Sequence, residues 1–356
     1  LGVWLANGRR RLMRGRLPEY VVLELSDSIR ERAPVEPLFY QLIPGRRPAM
    51  SLESLAEALR KVAGDPAVHG IVLIVRGPSL SLTQAQSMAA LFERFRGWDR
   101  ESGNQDGNPA AEGAGAKTVT VYLEQISMAT YVMAAAADTI VVSPLTTRDV
   151  FGFRAAPKFL KETFARFGLA FDVVKIAPWK TAGDTLNRSS MSDEQRAQLT
   201  WILDSLYDEA VEIISQGRGL DFGDVEAMID GAPLTAEDAL ASGLIDAIGY
   251  EDELPILLAK MQEGKPTDKI EDEVADKADS REEDGVEGRE DEEPESDLDE
   301  GEVVPLTLRR YEEVRKLLYR RLQPRYPKTI GVLSLEGAIV PGTSRHSPFP
   351  LPIAGD

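Results

Sequence analysis

Cysteine is absent from the 356 residues, so neither a disulfide framework nor a thiolate metal site can form. Histidine is almost absent as well. With only His69 and His346, the sequence has little material for a multi-histidine metal centre or a conventional Ser-His-Asp triad. Any chemistry here must use other groups. No basic stripe interleaved with aromatic residues occurs, so nucleic acid is not an expected partner. The net charge of −18 does not describe the chain as a whole. Between Glu271 and Glu302, eighteen acidic residues face three basic ones, and this stretch carries −15 of the total. The remainder is close to neutral and creates no acidic field.

The ends of the sequence are short of structure-forming material too. Leu1-Gly-Val-Trp-Leu-Ala6 is apolar but far short of the ~20 residues needed to cross a bilayer. It is followed by Arg9, Arg10, Arg11, Arg14 and Arg16. Residues 1–19 therefore read as a cationic leader, or as the flank of a membrane helix or signal segment whose start is missing. By the positive-inside tendency the basic cluster would lie on the cytoplasmic side, which leaves the membrane face open.

What is present is an alternation of short apolar strands and amphipathic helices. Tyr20–Leu25 is rich in β-formers, and residues 26–50, with four prolines, read as a loop. Ser51 is placed to cap a helix whose apolar positions are Leu52, Leu55, Ala56, Leu59 and Val62, ended by Gly64-Asp-Pro66. His69–Val75 is a continuous apolar run of the kind found in strands buried on both faces. A helix is expected over 83–96 and a surface insertion over 99–116. Strands are expected at 118–123, 139–142 and 171–176, with helices at 131–137, 159–167 and 193–216. Ser192 is the N-cap of the last helix and Gln195 its capping-box partner. The alternation predicts βαβ crossovers and an α/β core.

Residues 263–303 break this pattern. They are acidic, nearly free of aromatics and too poor in apolar area to offset ordering entropy, so they read as a disordered linker. A connecting helix is expected within 304–327, over Leu306–Leu322. A new strand then opens at Lys328 and leads into a proline-rich loop, as Tyr20–Leu25 did. Residues 328–356 thus resemble the truncated start of a second copy of the domain spanning 20–262.

Three segments carry candidate chemistry. Gln125–Pro144 joins two strands through Ser127, Met128, Ala129, Thr130 and Tyr131 and a run of alanines. Such small residues suit either close helix–sheet packing or close approach to a ligand. Ala177-Pro-Trp-Lys-Thr-Ala-Gly-Asp184 places Lys180 just after an expected strand, where α/β sheets put ligands. Partial burial beside Trp179, Ala182 and Gly183 would favour the neutral amine, the form a general base requires. Leu234–Gly249 reads as a short helix capped by Thr235 and Asp238, a left-handed turn at Gly243, and a strand. It needs no chemistry.

In this order and spacing, the three segments resemble the signal peptide peptidase A (protease IV) family, long form. The resemblance implies a Clp protease/crotonase-like βαβ superfold, with one repeat complete and a second truncated. It covers roughly 20–98, 117–262 and 328–356. The Leu234–Gly249 pattern is shared widely across that superfamily, whereas Pro178–Asp184 with Met191-Ser-Asp-Glu-Gln195 is more specific. Family members of the long form use a lysine of the first repeat as general base to activate a serine of the second. Lys180 matches the base. Met128 falls where the serine's first-repeat equivalent would be, and a thioether cannot act as the acylating nucleophile. Arg76-Gly-Pro-Ser79 stands where the oxyanion motif would lie, and Pro78 has no N–H to donate. The resemblance further implies a hydrophobic peptide as substrate, a homo-oligomer, membrane association through an amino-terminal segment, and no metal or cofactor. Two alternatives remain open at this point. One is a non-catalytic scaffold or oligomerisation half, the other a crotonase-like acyl-CoA enzyme.

Overall fold

The computed structural model describes residues 17–26, 28–33, 50–105, 117–148, 152–176, 178–232, 235–264 and 303–319. The expected cationic leader up to residue 16, residues 34–49 of the expected loop, residues 106–116 of the expected insertion, the acidic run from 265 to 302 and the expected start of a second repeat at 328–356 lie outside the described residues.

The expected α/β architecture is present. Six strands form one parallel sheet in the order β5-β4-β3-β2-β1-β6. They are β1 (Tyr20–Leu25), β2 (Gly70–Val75), β3 (Thr118–Ile126), β4 (Thr139–Arg148), β5 (Ala247–Ile248) and β6 (Leu308–Arg310). The long connections carry α1 (Leu52–Ala63), α2 (Leu82–Gln105) and α3 (Met128–Ala135). Between β4 and β5 come α4 (Lys161–Arg166), α5 (Asp184–Asn187), α6 (Asp193–Arg218), α7 (Phe222–Asp230) and α8 (Ala236–Ala241). Then follow α9 (Leu254–Gln262) and, after β6, α10 (Tyr311–Val314).

Every residue of β2 is buried, and its side chains divide by parity between two cores. Ile71, Leu73 and Val75 face a large cluster with Leu55, Leu59, Phe92, Phe95 and Tyr131, contributed by α1, α2 and α3. Val72 and Ile74 face a smaller one closed by Leu254, Leu257 and Leu258 of α9. Each such side chain contributes about 1.5–3 kcal/mol relative to exposure, so this strand fixes the layer order helix–sheet–helix. The alanines after β3 serve packing. Ala134 and Ala135 are fully buried, and α6 crosses so near that a Cβ on Gly217 would collide with the Ala135 carbonyl.

The sequence-level boundaries need four changes. The helix α2 runs on to Gln105, into the expected insertion. The helix α3 begins at Met128, because Ser127 and Thr130 form a reciprocal capping box there. Residues 308–310 are strand rather than helix, since they pair in parallel with β1 and so supply that edge with a ladder partner. Lastly, Phe171–Ile176 forms no ladder. Among the described residues it has no strand partner, and it lies in the long connection between β4 and β5.

The return of β6 shows where the acidic run is anchored. Leu306 donates its backbone N–H to Pro255 O on α9 (3.0 Å), and Glu19 N–H bonds Thr307 O at 2.9 Å. The chain leaves this unit after Gly264 and rejoins the same sheet edge at residue 303. Both ends of the acidic run are therefore held by one body.

Two aspartates pin the amino-terminal ends of the central strands. Asp138 accepts from Val119 N–H at 2.7 Å and from Arg96 Nε at 3.0 Å. Asp246, from the segment Gly243-Leu-Ile-Asp246, accepts from Ile140 N–H at 2.7 Å and from Arg218 at 2.8 and 3.0 Å. Each carboxylate satisfies a strand-end donor that would otherwise be unpaired, and each is neutralised by a guanidinium. Asp246→Ala removes both partnerships and is expected to destabilise the fold by about 2–3 kcal/mol. Urea unfolding checks this: the midpoint should fall with an unchanged slope, and an unchanged midpoint would show the pair to be dispensable.

Candidate active site

Lys180 does not lie at the end of a sheet strand. It sits in an arm that leaves the body after β4 and returns through α6. The arm is held together locally: Phe164 and Phe171 meet edge to face at 4.9 Å, and Val173 packs against Gly183. Lys180 itself is exposed. The partial burial expected from its neighbours is not met within this chain, because the apolar residues beside it are exposed as well. Trp179 is 56% exposed, Val174 91% and Ile176 99%.

The loop carrying Lys180 is nevertheless fixed. Asp184, fully buried at the start of α5, is ion-paired with Lys175 on the preceding segment. Its other oxygen accepts from Ser192 Oγ at 2.9 Å. The Lys175 bond holds the Asp184 carboxyl below its usual range, against burial, which pushes it upward; Ser192 adds to the lowering. Ser192 also caps α6 by accepting from Gln195 N–H at 3.3 Å, as the sequence predicted. The return half of that capping box is not made, because Gln195 Oε1 is buried without a partner. A shallow depression of about 540 Å³ opens beside Lys180, lined by Val173, Val174, Ile176, Trp179 and Gln198 among others. No serine lines it among the described residues. Its one hydroxyl, on Thr181, donates to Gln198 at 3.0 Å.

The other two sequence-matched positions lie elsewhere, and neither lines this depression. Met128 is 4% exposed and is part of the large core, not presented to solvent. Ser127 beside it is occupied as an N-cap. At the oxyanion-motif position, Gly77 adopts φ +62°, where a Cβ would collide with the Gln125 carboxamide. Arg76 is taken up by Glu24 (3.1 Å), Glu124 and Glu251, and Arg310 joins Glu24 at 3.1 Å. Burial pulls the Glu24 carboxyl upward, but Arg310 and Arg76 outweigh it and hold the group below its usual range. Arg76 is thus committed to these carboxylates, and Pro78 has no N–H to offer an oxyanion. Among the described residues no cluster of His, Asp or Glu is arranged to hold a metal ion.

Residues 112–265 match the model of Peptidase family S49, a serine peptidase family. This segment is similar to that family. The chain is 26% identical over 220 residues to a chloroplastic serine protease SPPA of Arabidopsis thaliana, covering 62% of this chain and 30% of that protein. It is 24% identical over 195 residues to a putative signal peptide peptidase SppA of Enterococcus faecium, covering 55% and 52%. The chain thus spans between about a third and about half the length of these relatives. Among solved structures, a membrane-bound stomatin-specific protease aligns at 12% identity and TM-score 0.35, covering 70% of this chain and 90% of that one. The ClpP catalytic domain of Plasmodium falciparum aligns at 9% identity and TM-score 0.33, covering 64% and 85%. Both likenesses are too distant to bear on activity.

Lys175, Asp184 and Gln198 were not singled out as functional from the sequence. Asp184 closes the quoted motif and Ser192 was read as a cap, but their contact exists only once the arm folds back. Replacing Asp184 by Asn tests the network. The carboxylate is depressed in the folded state, so its contribution is present above the unfolded carboxylate pKa of about 3.9. That contribution is lost as pH falls through the lower folded value. In urea unfolding across pH 2–7, the gap between wild type and Asp184→Asn should be widest at neutral pH and close towards pH 2.

Proposed function

We propose that this chain is the lysine-bearing portion of a Ser-Lys endopeptidase. Its substrates would be remnant signal peptides or other membrane-associated hydrophobic peptides. The observation that carries the reading is the setting of Lys180: an amine on a fixed loop, opening onto a depression lined largely by apolar residues and, among the described residues, by no serine. The likeness of residues 112–265 to Peptidase family S49 supports the reaction class. Neutral Lys180 takes the proton of a serine supplied by the second repeat, and the serine oxygen attacks the peptide carbonyl. The C–N bond then breaks as the lysine passes that proton to the departing amine, and water, deprotonated by the lysine, hydrolyses the acyl-enzyme and returns the proton to the serine. The exposed apolar surface of the arm is where the serine-bearing repeat, or a second copy in a homo-oligomer, would pack. Its packing there would remove water from the amine. A chain providing only the base is inert by itself.

Membrane association through an amino-terminal segment belongs to the same reading. Among the described residues no helix is long and apolar enough to cross a membrane. The exposed apolar arm also favours a second reading, a non-catalytic oligomerisation half in which Lys180 is only a surface charge. The commitment of Arg76 to carboxylates and the missing N–H of Pro78 speak against an acyl-CoA enzyme, which needs oxyanion donors there.

The two surviving readings part on one substitution. In the intact protein, Lys180→Ala should reduce cleavage of a hydrophobic peptide ester by at least about 10²–10⁴-fold, the range of general-base contributions. Stability should change by no more than about 0.5 kcal/mol, since the side chain is exposed. Undiminished cleavage by the Lys180→Ala protein would leave only the scaffold reading.

A further inference from the structure

We infer that Gln198 is the positioning residue for Lys180, acting by holding the backbone on both sides of it. This inference rests on the Ser-Lys reading above. Gln198 lies on the second turn of α6, half-buried, and lines the same depression as Lys180. Its Nε2 donates to Trp179 O at 3.0 Å, one residue before the lysine. Its Oε1 accepts from Thr181 Oγ1 at 3.0 Å, one residue after it. The orientation of the carboxamide follows from chemistry. Trp179 O can only accept, so the NH₂ must face it, and the Thr181 hydroxyl must then donate to the remaining oxygen.

The two bonds complete a tight local structure. Thr181 N–H bonds Trp179 O at 3.1 Å and Asp184 N–H bonds Thr181 O at 3.0 Å, closing successive turns around the lysine. Behind them the buried Asp184 ties Lys175 and Ser192, and Ser192 caps the helix that carries Gln198. The loop is therefore anchored to α6 at two points, one per side chain, Ser192 and Gln198. Ser192 fixes where the loop ends. Gln198 fixes the residues flanking Lys180. A long, flexible lysine on an exposed loop is a poor base unless its Cα is fixed, because misplacement by about 1 Å loses on the order of 10²-fold in rate. Among the described residues no other side chain bonds the backbone or hydroxyl groups of residues 179 and 181.

The residue types fit the role. Leucine fills a similar volume but makes neither bond. Glutamate accepts from Thr181 yet cannot donate to Trp179 O, and it sets a negative charge beside the amine, which favours the protonated lysine.

The test uses the intact protein with a hydrophobic peptide ester. It compares wild type, Gln198→Leu, Gln198→Glu and Lys180→Ala for kcat, KM, pH profile and thermal midpoint. Gln198→Leu is expected to lower kcat about 10–100-fold with KM changed less than threefold. Gln198→Glu should move the acid limb of the kcat/KM profile to higher pH by half a unit or more, an effect that a merely structural role would not produce. The Lys180→Ala arm separates the two levels of the argument. If that protein is inactive while Gln198→Leu and Gln198→Glu match wild type in kcat and pH profile, this inference is overturned and the Ser-Lys reading stands. If Lys180→Ala is fully active, the Ser-Lys reading falls and this inference with it. Should Gln198→Leu unfold, the pH profile of Gln198→Glu decides: an unmoved acid limb overturns the inference.

Discussion

Burial of β2 on both faces is the constraint from which the rest of the molecule follows. A strand with no polar residue on either side must be covered twice, so α1, α2 and α3 close one face and α9 the other. Parallel pairing on both flanks then requires crossovers, and every crossover delivers its loop to the same edge of the sheet. The strand starts are pinned by Asp138 and Asp246 with their arginines, while the strand ends gather Glu24, Arg76, Glu124 and Glu251. The body is rigid where it is apolar, and its charged groups are spent on holding it together.

On the Ser-Lys reading, the chemistry of this chain would lie in the arm and not in the body. Within the body, Met128 at the start of α3 contributes packing, Ser127 is committed to the cap and Arg76 is committed to carboxylates. The arm has the reverse character. It leaves Val174, Ile176 and Trp179 in solvent, and it spends a buried ion pair and a glutamine carboxamide on fixing one exposed lysine. Such an arrangement has little value for the stability of this chain alone, which is why a partner surface is the natural complement.

The acidic run belongs to this picture through its anchors. Because β6 returns to the edge of β1 and Arg310 joins Glu24, the chain on both sides of residues 265–302 is fixed to one sheet.

The sequence by itself determined the α/β class, the strands Tyr20–Leu25, Gly70–Val75 and those opening at Thr118 and Thr139, the Ser51 and Thr235 caps, and Lys180 as the residue to test. These are set by local periodicity and by hydrogen bonds spanning three residues, which any reading of neighbours can find. Tertiary structure decided the rest. Phe171–Ile176 has the composition of a strand but pairs with none among the described residues, while Leu308–Arg310 looks helical and becomes a strand because β1 offers an edge. Lys180 looks sheltered by its apolar neighbours and is exposed, because those neighbours are themselves exposed. The Asp184–Lys175–Ser192 tie and the Gln198 clamp join residues eight to nineteen positions apart. Only a folded arm brings such groups within hydrogen-bond distance, so no periodicity announces them.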